Sequence, residues 1–275
     1  MSKVSFIIPI KNSKRTLDKC IYSIANQDYS DFEIIIIDNM STDGSDKIAR
    51  KYTDKVYYCN GTLGECRQLG FEKSCGEIIA IFDSDIILPN TKWLKRAVAR
   101  FTDNTISTVQ VPQVPAPSAN IFSKFYVNYN WFLVQERFRK KKGIVGGGNC
   151  LFRRSSIEEV GGIDVPIHWI EDIYLARKLM DAGFSVVLHD EPIYHDTHVT
   201  LGEILVKELS RVSQYKKMDI QWLHAMAKSQ LFYEQVVTGL RGMLKGLFKD
   251  KECSWSLYPL FILIRLLAYT TMLIR

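Results

Sequence analysis

The chain has no Cys-x-x-Cys pair. Its six cysteines (Cys20, Cys59, Cys66, Cys75, Cys150 and Cys253) are scattered over 275 residues. That pattern argues against a zinc site and for reduced, mostly packing thiols in a cytoplasmic compartment. There is no internal repeat and no low-complexity tract. No cleavable leader is expected, because Met1-Ser2-Lys3 runs straight into a strand-like segment. Charge is unevenly placed. From Leu201 to Arg275 there are 11 Lys/Arg against 6 Asp/Glu, so most of the net +6 sits there and the first 200 residues are nearly neutral. This excludes a broad nucleic-acid face and points to a basic appendage near anionic lipid or phosphate. A chain that is 47% hydrophobic and 24% charged suits one large domain, or a domain with an appendage, and can bury a sizeable core.

What is present is an alternation of strands and helices. Val4–Ile10 reads as a buried strand, and Ser13–Gln27 has helical spacing with Leu17, Ile21 and Ile24 on one side. Glu33–Ile37 is too uniformly apolar for a sheet with one wet face. Asp38–Gly44 forms a turn into a short helix from Ser45, Val56–Cys59 is a third strand, Leu63–Ser74 a helix and Glu77–Phe82 a fourth strand. Such βαβ units predict an α/β fold with a doubly wound parallel sheet. Ligands gather at the carboxyl ends of strands in these sheets. Pro9–Asn12, Asp38-Asn39 and Asp83–Asp85 all fall at such ends, so three distant polar groups should share one crevice.

Asp83-Ser84-Asp85 follows the apolar run Ile78–Phe82. Side chains two apart on an extended segment emerge on one side. Two unpaired carboxylates there would be costly, and a hard divalent cation such as Mg²⁺ or Mn²⁺ removes the cost because it prefers oxygen ligands. A cation held this way is suited to gripping a diphosphate; a solvated turn is the plain alternative. Further on, Phe122, Phe125, Tyr126, Tyr129, Trp131, Phe132 and Phe138 form an aromatic stretch, read as core in preference to a ligand-facing surface. Gly146-Gly147-Gly148-Asn149 allows either a close backbone approach to a ligand or a tight turn before a strand. Glu171-Asp172 opens a helix through Met180, closed by Gly183.

Together these segments resemble glycosyltransferase family 2, with its GT-A fold. The pieces that carry the resemblance are VSFIIPIKN (4–12), EIIIIDNMSTDGS (33–45), GECRQLGFEKSCGEIIAIFDSD (64–85), GGGNCLFRRSSIEEVGGID (146–164), EDIYLARKL (171–179) and IYHDTH (193–198). They span roughly residues 3–218 in order. Two departures stand out. The chain has Arg67-Gln68 where the family often has Arg-Asn, and Arg211–Tyr215 where cellulose-synthase-like members have Gln-x-x-Arg-Trp. The second puts a polymerase role in doubt.

The resemblance implies a UDP- or GDP-linked sugar donor. Pro9, Lys11 and Asn12 would line the nucleotide, Asp38 would accept a hydrogen bond from the base, and Arg67 would pair with base or diphosphate through its guanidinium fork. Asp85 would ligate the metal; Asp83 would contact ribose, the sugar or the metal, with Ser84 between them, and His195 would add a further metal or diphosphate ligand. Asp172 is the expected base, taking the acceptor's proton in an inverting transfer; residue type alone favours a helix cap, and the match to the family's Glu-Asp-x-x-Leu reverses that. Glu171, about 100° round the helix, would orient acceptor or base. Gly147, Gly148, Asn149, His168 and Trp169 are expected on the acceptor side.

The tail points to a membrane. Leu231–Phe248 has apolar residues at helical spacing beside Arg241, Lys245 and Lys249, which suits a helix lying on a bilayer or packing on the catalytic domain. Cys253–Ile274 carries one charge, Arg265, and ten Leu, Ile or Phe residues. These contribute about −3 to −6 kcal/mol towards insertion, against about 2.5–3.5 kcal/mol for a central Arg. Attachment is expected, a full crossing is not. The division expected is a catalytic domain over 1–218, with a nucleotide-sugar half to about 100 and an acceptor half beyond, then a helical, membrane-associated extension over 219–275. The function expected is transfer of a hexose to a polyprenyl phosphate or lipid-linked glycan at the cytoplasmic membrane face, with membrane lipids as partners and no nucleic acid. A sugar-phosphate nucleotidyltransferase is the rival enzyme, disfavoured because Pro9–Leu17 has no glycine; a non-catalytic nucleotide-sugar-binding protein is the other rival.

Overall fold

The computed structural model describes residues 2–139, 148–163, 171–217 and 233–273. Gly147, His168 and Trp169 lie outside them, as does the start of the 231–248 segment. The isoleucine-rich runs form β1 (Val4–Ile10), β2 (Phe32–Asp38) and β4 (Ile78–Ile81), which are buried almost throughout. A strand with no polar face needs cover on both sides, and that requirement organises the first half of the chain. Successive residues serve opposite faces. Phe6, Ile8, Ile36 and Phe82 join one core beneath α1 (Leu17–Ala25), α2 (Ser45–Ala49) and α4 (Trp93–Val98). Ile7, Ile35, Ile37 and Ile79 join the other beneath α3 (Leu63–Lys73), α6 (Arg154–Glu159) and α7 (Glu171–Asp181). Helix α3 lies so close to β1 that a Cβ on Gly70 would come within 2.3 Å of the Ile7 side chain.

With β3 (Val56–Tyr58), β6 (Ile106–Gln110), β8 (Cys150–Arg153) and β9 (Ser185–Leu188), the central sheet has seven strands in the order β3-β2-β1-β4-β8-β6-β9. The first four are parallel as expected. Strand β8 runs antiparallel between β4 and β6, which makes the sheet mixed. It also brings the turn before Cys150 to the edge where β1, β2 and β4 end. A three-stranded sheet joins β5 (Ile86–Ile87), β10 (Ile193–His195) and β7 (Gln113–Pro115).

The chain divides into two compact units, Met1–Val114 with Lys140–Asp196, and Pro115–Arg139 with Thr197–Arg275. A cut near 218 would therefore fall inside the second unit. The aromatic stretch is core, and it belongs to that unit. Its helix α5 (Ile121–Arg139) shares a cluster with α8 (Leu201–Lys217), with α9 (Gly239–Leu244) and the π-helical turn after it, with a 3₁₀ turn (Cys253–Leu257), and with α10 (Tyr258–Leu273). Phe125, Tyr129, Phe132, Trp255, Tyr258 and Phe261 fill it, with Phe261 edge-on to Phe125 and Tyr129 at 5.2 and 4.8 Å between ring centres.

Arg265 faces this core. Its Nε donates to Glu208 Oε2 at 2.6 Å and its Nη1 to Tyr129 Oη at 2.9 Å. Among the described residues no helix is long and apolar enough to cross a membrane.

Candidate active site

The strand ends of the first unit converge. Asp38 closes β2 and is buried; its Oδ1 accepts from Ser41 N–H at 2.9 Å, while Oδ2 has no hydrogen-bond partner. Capping falls instead to Asp43, which accepts from Ser45 and Lys14 N–H at 3.0 and 2.9 Å. A buried carboxylate oxygen left without a donor costs free energy, so Asp38 fits a site completed by a ligand donor such as a base N–H. At the end of β1, Pro9 is half-buried and Lys11 and Asn12 are exposed. Asn12 has φ 52°, and its Oδ1 accepts from Thr42 N–H at 2.9 Å. That side chain ties the two loops together. Ser84 donates to Ser13 Oγ at 2.8 Å, holding the β4 turn against the same loop.

Asp83, Asp85 and His195 come together, each offering a ligand atom within 4.8 Å of the others. Local pairing explains the histidine. His195 lies opposite Ile86 in the β10–β5 ladder, and Asp196 N–H donates to Asp85 O at 2.7 Å. The imidazole Nε2 then stands 3.2 Å from Asp85 Oδ1. Burial raises the Asp83 carboxyl above its ordinary range; the Arg67 guanidinium opposes this, the Asp85 carboxylate adds to it, and His195 and Asn149 oppose it. Two close carboxylates with one imidazole form a donor set that fits Mn²⁺ or Mg²⁺, and such a cation would relieve the repulsion between the acids.

Arg67 is 3% exposed and donates from Nη2 to Asp83 Oδ1 at 3.0 Å. It sits in the first turns of α3, whose start is set by a reciprocal cap. Glu65 N–H donates to Thr62 Oγ1 and Thr62 N–H to Glu65 Oε2, at 3.1 and 2.6 Å.

The turn before β8 links this group to Asp172. Gly148 and Asn149 both have positive φ, 62° and 56°. Asn149 is wholly buried; its Nδ2 donates to Asp83 Oδ2 at 3.0 Å and its Oδ1 accepts from Asp83 N–H at 2.8 Å. Gly148 N–H donates to Asp172 Oδ2 at 2.8 Å. A Cβ on Gly148 would stand 3.1 Å from Asp83 Oδ2 and 3.3 Å from Arg67 Nη2. Asp172 is the second residue of α7, which Leu175, Ala176 and Leu179 bury against the sheet. Arg67, Gly148, Asn149, Cys150 and Asp172 line one crevice over an apolar floor of Ile81, Phe152, Ile163 and Leu175. The Asn149 amide is thus engaged by Asp83, a role the sequence did not suggest. The side chain of Glu171 lies outside those described.

Residues 5–161 match the model of "Glycosyl transferase family 2". The chain belongs to this family. Among curated family 2 relatives, the cholesterol galactosyltransferase of Borreliella burgdorferi is 39% identical over 91% of this chain and 86% of its own length. The glycosyltransferase AglE of Haloferax volcanii is 27% identical over 74% and 70%. Among solved structures, a mannosyltransferase from Pyrobaculum calidifontis in complex with GDP-Man and Mn²⁺ superposes with a TM-score of 0.59 at 17% identity, over 98% of this chain and 84% of that one. The fold is GT-A, and the protein is a nucleotide-sugar glycosyltransferase. The family 2 departure at Gln68 has a local reason: its Oε1 accepts from Ile163 N–H at 2.8 Å, bracing the Gly161-Gly162 turn.

Gln110, at the end of β6, was not foreseen. It is wholly buried and neither amide atom has a hydrogen-bond partner. The mixed strand that it closes, ISTVQ, carries no signal that singles it out.

Proposed function

We propose that this protein transfers a hexose with inversion from a UDP- or GDP-linked sugar, in the presence of Mn²⁺ or Mg²⁺, to a lipid-linked acceptor at the cytoplasmic face of the cell membrane. The observation that supports the reading is the chain of contacts Arg67–Asp83–Asn149 and Gly148–Asp172, which links an acid cluster suited to a cation to a candidate base. Asp83, Asp85 and His195 would hold the cation, which when bound supplies positive charge for a departing diphosphate. Arg67 adds a second positive group on the same side. Where the acceptor is a glycan or sterol hydroxyl, Asp172 removes its proton as the oxygen bonds to the anomeric carbon and the diphosphate leaves, and the Gly148 N–H fixes the carboxylate's orientation; a phosphate acceptor would attack as an oxyanion and need no base. Asp38 and the loop after β1 receive the nucleotide.

The P. calidifontis mannosyltransferase bound to GDP-Man and Mn²⁺ supports the donor and metal class. For the acceptor, a polyprenyl phosphate or lipid-linked glycan fits a basic, apolar second unit. The B. burgdorferi cholesterol galactosyltransferase favours testing a sterol hydroxyl beside them. Asp172→Asn should lower transfer to a hydroxyl acceptor by about 10²–10⁴-fold while donor-induced thermal stabilisation persists. Undiminished transfer in that variant would sink the assignment of the base, and release of pyrophosphate from a sugar phosphate and a nucleoside triphosphate would favour the nucleotidyltransferase.

A further inference from the structure

Eleven of the fifteen large apolar side chains left exposed among the described residues lie between Leu201 and Leu267. They belong to the second unit, and within it they follow a pattern. Along 239–249, Gly239, Gly242 and Gly246 face the unit's own core. A Cβ on Gly239 would come within 2.4 Å of Tyr258, and one on Gly246 within 1.9 Å of Trp255. With that side closed, Leu240, Leu244 and Phe248 form an outward ridge, 43%, 53% and 70% exposed. Arg241, Lys245 and Lys249 form the neighbouring ridge, all exposed. With Lys251, four cations stand against one acid, Asp250, over residues 239–251.

Helix α10 repeats the division. Tyr258, Phe261 and Arg265 turn inward, while Leu260, Leu263 and Leu266 are 41%, 53% and 41% exposed. Arg265 is the single charge in 253–273, and Glu208 holds it inside, so the exposed side chains described along α10, Pro259, Leu260, Leu263, Leu266 and Leu267, are all apolar. The apolar pattern read in the sequence as near-sufficient for insertion is therefore split in the fold between a core face and an outer face.

We infer that this surface, the 239–249 ridges with the outer face of α10, seats the second unit on an anionic lipid leaflet and lies in the headgroup layer without crossing. The inference rests on the membrane reading above and adds to it the residues of the contact surface and the depth at which they lie. An apolar ridge flanked by cations matches a layer that is negative at its surface and hydrocarbon a few ångströms below. A second copy of the chain matches poorly, because a two-fold contact would set the same excess of positive charge against itself.

The test uses the full chain and vesicles of phosphatidylcholine, with or without phosphatidylglycerol. The chain should sediment with the mixed vesicles, and added salt should release it. Leu244→Glu with Leu263→Glu should cut the bound fraction about tenfold or more. Lys245→Glu with Lys249→Glu should abolish the preference for phosphatidylglycerol. Donor-induced thermal stabilisation retained by both variants shows that they are folded. Equal sedimentation of wild type and both variants, or none with mixed vesicles, overturns the inference. So does a dimer that Leu263→Glu splits without any vesicle binding. Catalysis is read separately: vesicle binding by a chain that never turns over a nucleotide sugar leaves this surface standing and removes the proposed activity.

Discussion

Asn149 satisfies the backbone N–H of Asp83 with its oxygen and orients that residue's carboxylate with its nitrogen. Alanine would leave a buried N–H without an acceptor and let a cation ligand rotate. Outer-shell partners of metal ligands commonly matter by one to two orders of magnitude. We therefore expect Asn149→Ala to weaken Mn²⁺ binding about 10–100-fold, read as a displaced Mn²⁺ titration in calorimetry, with nucleotide-free thermal stability lowered less than for a core truncation. Mn²⁺ affinity equal to wild type would show that Asn149 is mere filling. Gln110 makes the opposite case. Both its amide atoms are buried without partners, so an apolar residue of similar volume relieves a penalty. Gln110→Met should raise thermal stability by about 1–2 kcal/mol in a denaturant melt; a loss would mean the amide has a role in the folded chain. The Asp-x-Asp pair was legible locally because both acids follow directly on an apolar run, although the structure sets them in a turn after β4 and not on an extended segment. The service of Asn149 to Asp83 was not, because 66 residues separate the partners and only the antiparallel insertion of β8 brings them together.

Among the elements, β2 shows how sequence pattern and fold agree. Its isoleucines require cover on both sides, and its one early acid, Glu33, is buried. Burial alone would raise that carboxyl. Hydrogen bonds from Lys55, Ser5 and Cys75 outweigh it and hold the group near about 2. The folded value thus lies below the unfolded one, so the stabilisation is complete above about pH 4.5. It is lost as the pH falls through 2. Glu33→Gln should flatten the acid limb of stability against pH between those values, measured by urea titration at several pH values; an unchanged limb would contradict the Lys55 pairing. The helices of the first half were readable from spacing, whereas the Thr62–Glu65 capping box emerged only in the structure. Strand β8 and the small sheet were harder to read. Short strands of two to four residues carry too little periodicity, and their partners lie far along the chain.

For the whole molecule, the second unit is assembled from Pro115–Arg139 and Thr197–Arg275. Arg265, Glu208 and Tyr129 knot three of its helices. Removing one partner of a buried pair strands a charge, so Glu208→Ala should cost about 3–5 kcal/mol. Glu208→Leu with Arg265→Met should recover most of it, because a matched apolar pair needs no counter-charge. Chemical denaturation of the three variants checks this, and a double variant no better than the single one would show that the pair contributes more than its own neutralisation.

The sequence by itself determined the parallel first half of the sheet, the strand-end position of the acids and the family. Those follow from local pattern, where each residue's neighbours in the chain are also its neighbours in the fold. Tertiary structure alone decided that Asn149 and Gly148 join Asp83 to Asp172, and that Arg265 points inward. Each of these depends on pairing between segments distant along the chain, and hydrogen-bond and ion-pair partners are chosen by proximity in space.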